Sequence, residues 1–357
     1  MERPPGVPHD VPIAPSRRSR IVAAAAVAVL AVGYAWLDSS VLHPRPHRDF
    51  DQVWFAARTL WKGGNPYALI GPGRAFDWPW EFFYPMTAAV IALPIAWLPM
   101  MTARLAFVAV NAFVFVYLLS RDGWQRWPWL FGACFTRAIA SAQWTPLLVG
   151  AALVPRLGFL YAAKPHVGFA VLFSRLRRGA IAPAVIGGTI VFAASAALYP
   201  GWWRSWRAAV GSYVPVSLLF TAFGPILLVA LLRWRRPEAR LLLLMAAVPH
   251  TMVPYDSLPL VLVTMSSMES AILAVSSQVI WWMQSEAAAS GTFRPTLVNA
   301  WYVALLYMPA LWMVLRRPNE GELPLFLERF FHRPSAAIET ADVLERDSAS
   351  SDTSVAP

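Results

Sequence analysis

The sequence holds a single cysteine, Cys134, among 357 residues. An intrachain disulfide is therefore impossible, and a zinc site built on cysteines is excluded. The six histidines, at positions 9, 43, 47, 166, 250 and 332, show none of the spacings that ligate zinc. No phosphate-binding loop or dinucleotide fingerprint occurs, and Gly71-Pro72-Gly73 reads as a plain turn with no strand before it and no helix after it. That disfavours an ATP-driven pump. No Ser-His-Asp constellation can be argued either. Charge is scarce: 14% of residues are charged, against about 25% in soluble domains.

Hydrocarbon and aromatic side chains fill the space instead. The chain is 57% hydrophobic with 18 Trp and 20 Phe, and its mean hydropathy is +0.48. A chain this long and apolar cannot cover itself with polar surface, so it belongs in a bilayer. The net charge of +10 comes with clustered basic residues: Arg17, Arg18 and Arg20; Arg175, Arg177 and Arg178; Arg233, Arg235 and Arg236; Arg316 and Arg317. Each cluster abuts an apolar run, which is how positive-inside anchors meet anionic headgroups. A nucleic-acid partner would need a basic face on a water-soluble fold, and none is visible.

Residues 1–16 are Pro-rich and read as disordered, so that 1–20 form a cytoplasmic N-terminus. Ile21–Leu37 follows RRSR, lacks a small-x-small cleavage site, and reads as the first span. Further apolar runs lie at 84–99, 102–120, 128–141, 144–162, 165–174, 180–199, 212–232, 240–254, 258–283 and 298–315, the run at 258–283 being one long span or two short ones. The expectation is an all-α, multi-pass plasma-membrane protein with about ten to twelve spans over 21–320. Residues 39–83 form its first extracytoplasmic loop. Basic turns at 175–178 and 233–240 read as cytoplasmic, which puts Tyr199–Ser212 and His250–Pro259 on the same face as that loop. ELPLFLERFFHR at 322–333 has the make-up of a surface helix, within a 321–357 segment that ends as a disordered tail.

The loop carries the most distinctive stretch, HRDFDQVWFAARTLWKGGNPY (47–67). Phe50, Val53, Trp54, Ala57, Leu60 and Trp61 share one helical face, with Gln52, Arg58, Thr59 and Lys62 on the other. Asp49 with Gln52 makes a capping box, and Gly63-Gly64 followed by Pro66 makes a stop. The spacing predicts a helix over about 50–62, lying flat on the outer leaflet with its aromatic side in lipid or against the bundle. Asp49 then caps the helix, and a carboxylate there is also placed to take a proton from a substrate hydroxyl. Asp51 gives a D-x-D look, but residues two apart on a helix point to nearly opposite sides, so metal is not expected.

The run RDFDQVWFAARTLWKGGNPYALIGPGRAFDWPWEFFYPM resembles the start of the integral-membrane glycosyltransferases of the GT-C type. In particular it resembles glycosyltransferase family 87, the polyprenyl-phosphate-mannose-dependent mannosyltransferases of actinobacteria. The matching residues are Asp49-Phe50, Phe55-Ala56-Ala57-Arg58, Gly64-Asn65-Pro66-Tyr67 and Tyr84-Pro85, with Met86 where a second proline is usual. Gln143-Trp144-Thr145-Pro146 resembles the family's Gly-Gln segment with Ala142 in place of glycine, and Lys164-Pro165 resembles its Lys-Pro turn. The match covers 47–180 well and weakens beyond about residue 200.

The resemblance implies a GT-C bundle with an amphipathic first-loop helix, a lipid-linked sugar donor, an extracytoplasmic reaction and a catalytic aspartate, which maps to Asp49. A sugar on polyprenyl phosphate carries its own leaving group, so one carboxylate suffices as base for displacement with inversion, where hydrolytic glycosidases use a pair. Cations or donors must meet the charge gained by the phosphate. His250, Lys164 and Arg58 are the candidates for that phosphate, though Lys164 equally suits snorkelling and Arg58 lipid anchoring. Asp51, Tyr84, Gln143, Arg74 and Tyr255 are the candidates for substrate contact. Tyr84 belongs to an aromatic cluster with Trp78, Trp80, Phe82 and Phe83 whose default role is an interfacial belt. Neither metal nor cofactor is expected. The partners are the polyprenyl-phosphate-linked donor, a glycolipid or polysaccharide acceptor, and membrane lipids. A transporter or lipid flippase is the competing class, although the polar residues concentrate in one loop rather than in paired repeats. A non-catalytic homologue acting as an assembly partner is the third reading.

Overall fold

The computed structural model describes residues 14–44, 47–213, 216–249 and 253–321, without the Arg178 side chain. The 322–333 segment, residues 1–13 of the N-terminal end, the C-terminal tail and His250 fall outside that set. The described chain is all-α apart from a two-residue parallel pairing of β1 (Ile70–Gly71) with β2 (Phe76–Asp77). Among the described residues, four helices are long and apolar enough to cross a membrane: 17–42, 100–122, 179–198 and 295–315. Val29, Leu30, Val185, Ile186 and Ile190 stand on their exposed faces. A water-soluble protein does not carry such a belt, and a membrane protein does.

The helices run in chain order as α1 (Arg17–Leu37), α2 (Asp49–Trp61), α3 (Pro66–Leu69), α4 (Met86–Ala92), α5 (Met100–Leu119), α6 (Ala133–Ala140), α7 (Thr145–Leu153), α8 (Pro165–Ser174), α9 (Arg178–Leu198), α10 (Trp202–Val210), α11 (Pro237–Ala247), α12 (Ser267–Ala289), α13 (Pro295–Trp301) and α14 (Met308–Leu315). A π-helical stretch, Tyr302–Tyr307, joins the last two. Contacts between distant residues sort the segments onto two ends. At the basic end, Arg20 donates to the Tyr117 carbonyl at 2.6 Å, Arg240 to Ser174 at 3.0 Å, and Arg233 to Arg317 at 2.6 Å. Arg317 also pairs with Glu269 at 2.7 Å. At the other end of α1, about 30 Å away at 1.5 Å per residue, lie α2, α10 and the Tyr255–Asp256 segment. Trp206 of α10 donates to Phe83 at 2.9 Å there.

Two apolar runs expected to be spans do not travel between the ends. Residues 84–99 leave the α2 end and return to it, since Trp54 of α2 donates to Leu98 at 3.1 Å and Arg104 of α5 reaches Asp51. Residues 144–162 form a second hairpin, α7 followed by a 3-10 stretch at Pro155–Ala163, whose flanking residues Gln143 and Lys164 meet at 3.0 Å. Prolines 85, 94 and 99 bracket the first hairpin and prolines 146, 155 and 165 the second, because proline removes a backbone donor and breaks an α-helix. The run at 258–283 also divides, into a 3-10 segment at Pro254–Leu262 and α12.

The first-loop helix is present, and its aromatic side packs against the bundle: nine of its 13 residues are buried, with α4 and α5 against it. Trp61, Trp80 and Trp97 remain exposed around it, as an interfacial belt would have them.

Candidate functional site

The start of α2 is set by Arg48, whose backbone is still extended, and by Asp51, whose Oδ2 accepts from the Arg48 N–H at 2.6 Å. The capping box is thus one residue earlier than the sequence spacing suggested, and neither Asp49 nor Gln52 makes it. Asp51 also accepts from Arg104 Nε at 2.8 Å and from its terminal nitrogen. Both side chains are buried, 0% and 1% exposed. Arg48 in turn donates to the Asp38 carboxylate at 2.8 Å and to the His43 carbonyl at 3.0 Å. Arg137 stands 3.6 Å from the other Asp38 oxygen. Asp51 therefore anchors α2 and is not a substrate contact. An arginine inside the bundle requires a carboxylate, and Asp51 supplies it.

Asp49, relieved of capping, turns the other way. Its Oδ2 accepts from the Gln143 amide and from the Tyr255 hydroxyl, the latter at 3.3 Å. Gln143 Oε1 accepts from Lys164 Nζ at 3.0 Å and from the Tyr84 hydroxyl at 3.3 Å. Lys164 also pairs with Asp256 at 2.5 Å and lies 4.8 Å from the Tyr255 ring centre. Five residues from four distant parts of the sequence thus converge on one carboxylate: Tyr84, Gln143, Lys164, Tyr255 and Asp256. Gln143, Lys164 and Asp256 are buried, whereas Asp49 and Tyr84 keep part of their surface open. Both protein hydrogen bonds to Asp49 fall on Oδ2, and among the described residues Oδ1 has no protein donor. Protein surrounding the carboxyl raises its pKa to about 6, with Lys164, Tyr255 and Gln143 opposing the rise and Asp256 adding to it.

The aim of Gln143 comes from the backbone. α6 ends in a Schellman motif, with Gln143 N–H bonding the Ala138 carbonyl at 2.8 Å and Ala142 N–H the Ile139 carbonyl at 3.1 Å. This motif needs a left-handed residue, normally glycine, and here Ala142 takes it at φ 51°. An alanine there costs about 1 kcal/mol, held by the packing around it.

The remaining predicted residues are elsewhere. Arg58 is on the face of α2 opposite Asp49, exposed, its guanidinium 5.3 Å from the Trp54 ring; nine residues along a helix is half a turn out of phase. Arg74 clamps its own loop, donating to the two Glu81 oxygens at 2.8 and 2.7 Å and to the Tyr67 and Ile70 carbonyls. Lys164 does reach Asp49's surroundings, but its ammonium is committed to Asp256 and Gln143, because a buried cation needs a counter-charge. Sequence reasoning missed Asp256, Arg104, Arg48 and Asp38. The signal for Arg104 and Asp256 was present: an ionisable residue inside an apolar run implies a partner of opposite sign. No group of three or more metal-ligating side chains occurs among the described residues, and Asp49 and Asp51 diverge to separate partners.

Comparison with protein-family models, with curated proteins and with solved structures finds no match to this chain.

Proposed function

We propose that this chain is a GT-C type glycosyltransferase that moves a sugar from polyprenyl phosphate to a hydroxyl of a cell-envelope glycolipid or glycan. Mannose is the sugar that the resemblance favours. The observation that carries the reading is Asp49, a half-buried residue whose carboxylate is held through Oδ2 by Gln143 and Tyr255 and has no protein donor on Oδ1 among the described residues. Oδ1 takes the acceptor's hydroxyl proton as that oxygen attacks the anomeric carbon. The bond from that carbon to the phosphate oxygen breaks with inversion, and polyprenyl phosphate leaves with the electron pair. Gln143 and Tyr255 fix the carboxylate, and Lys164 keeps enough positive charge nearby for it to ionise near neutral pH. The site lies at the end of the bundle remote from the arginine-rich end, and positive-inside placement of those arginines makes its face the extracytoplasmic one.

The test is transfer of label from radiolabelled polyprenyl-phosphate-mannose, and from its arabinose counterpart, in membranes carrying the wild-type chain. Label in an acceptor lipid or glycan is the expected result; none from any polyprenyl-phosphate donor ends the reading. A transporter is the second reading, supported by the buried Lys164–Asp256 pair, since ion pairs inside a bundle often line transport paths.

The raised pKa of Asp49 gives a pH signature. A base must be deprotonated, so kcat/KM should climb with pH through an apparent pKa near 6. Lys164 is the largest influence lowering that pKa, so Lys164→Met should move the limb to higher pH. A flat profile between pH 5 and 7 in the wild type would remove Asp49 as the titrating base.

A further inference from the structure

A concavity opens between α3, the Arg74–Glu81 loop and α10. It has a volume of about 470 Å³ and is walled by Asn65, Tyr67, Arg74, Glu81, Ser205 and Ser212, among others. We infer that this recess is a binding site for an uncharged polyhydroxyl group, the sugar end of the acceptor. The inference rests on the glycosyltransferase reading for the word acceptor and on the recess itself for the chemistry.

Charge decides the ligand class. Arg74 and Glu81 are both about one-third exposed, at 34% and 30%, and neutralise each other in a bidentate pair. Arg74 Nη1 already serves Tyr67, Ile70 and Glu81, and Nη2 serves Glu81, so the guanidinium has little left for a phosphate. A carboxylate offers roughly four lone-pair sites, of which Arg74 takes two, and the remainder accept protons from ligand hydroxyls. Among the described residues the lining holds no other charged side chain. Ser205 adds a hydroxyl that donates and accepts, and Ser212, whose proton goes to the Ala209 carbonyl at 2.7 Å, adds an acceptor. A neutral ligand rich in O–H groups fits that combination, whereas an anion meets Glu81 and a cation meets Arg74.

The recess is also wired to the reacting carboxylate. Tyr67, in its wall, donates to the Tyr84 carbonyl at 3.1 Å, and the Tyr84 hydroxyl donates to Gln143, which holds Asp49. Tyr67 and Tyr84 thus connect the wall of the recess to the side chain that holds the base.

Purified full-length protein in nanodiscs, probed by saturation-transfer NMR, tests the assignment without relying on catalysis. The probes are the methyl glycosides of mannose, glucose and arabinofuranose, with inorganic phosphate as the anion control. The expected result is a saturable signal for at least one glycoside that Ser205→Trp abolishes and Asp49→Asn preserves. Glu81→Gln, which keeps the side chain's shape, should weaken the same signal severalfold and guards against misfolding of the tryptophan variant. No saturable signal, a signal that survives Ser205→Trp, one lost in Asp49→Asn instead, or binding of phosphate alone would each overturn the inference. Glycoside binding by a wild type that transfers nothing would leave the recess standing and remove only the transferase reading.

Discussion

Asp49→Asn is expected to lower transfer by roughly 10²–10⁴-fold, the range that general-base catalysis contributes, while the protein folds as before. The two effects separate because Asp49 does not cap α2: the Arg48–Asp51 bond does, and it survives the substitution. The asparagine carbonyl still accepts from Tyr255 and Gln143. A carboxyl whose pKa rises from 3.8 to about 6 in the folded state binds protons more tightly folded than unfolded. Its stabilising contribution is therefore complete below 3.8 and is lost as pH rises through about 6. A neutral amide does not suffer that loss, so at pH 7 the thermal midpoint of Asp49→Asn should equal or exceed that of the wild type. Dead but stable is the expected outcome, read from labelled-donor transfer beside a melting curve in the same detergent. Undiminished transfer would mean that another group takes the proton.

The second large effect concerns stability. Replacing Arg104 with methionine strands the Asp51 carboxylate in the interior without its charged hydrogen-bond partner, leaving the Arg48 N–H as donor. Breaking a buried ion pair by removing one member costs about 3–5 kcal/mol, a large share of the 5–15 kcal/mol that holds a typical domain together. Arg104→Met should thus melt far below the wild type or fail to accumulate. The double variant Arg104→Met with Asp51→Leu removes the stranded charge and should recover most of the loss, since an apolar pair of similar volume is often neutral or better. Equal losses in the single and double variants would show that the packing of α2, rather than the charge pair, sets the cost.

Much of the site was readable in the sequence. Tyr84, Gln143 and Lys164 stand in the motifs that carry the family resemblance and Tyr255 follows an apolar run, and the structure gathers all four around Asp49. Periodicity located α2, and Gly63-Gly64 with Pro66 marked its end. What periodicity does not report is register at a helix start. Asp49 and Asp51 fit a first-turn role equally well until Arg104, 53 residues beyond Asp51, selects one of them. Hydropathy likewise measures burial and says nothing of direction. A hairpin that turns inside the bundle is as apolar as a segment that passes through, so 84–99 and 144–162 resembled crossings. Arg58 and Arg74 looked alike as loop arginines; Glu81 at seven residues' distance set Arg74's fate, while Arg58 found only an aromatic face.

Ala142 links two events that would otherwise be independent. A left-handed alanine is under torsional load, and the Gln143 N–H and Ala142 N–H bonds into α6 keep that load from discharging. If the last turn of α6 frays, the backbone relaxes and the glutamine amide swings away from the carboxylate it grips. Amide hydrogen exchange at Gln143 and the proton affinity of Asp49 are therefore two readings of one latch.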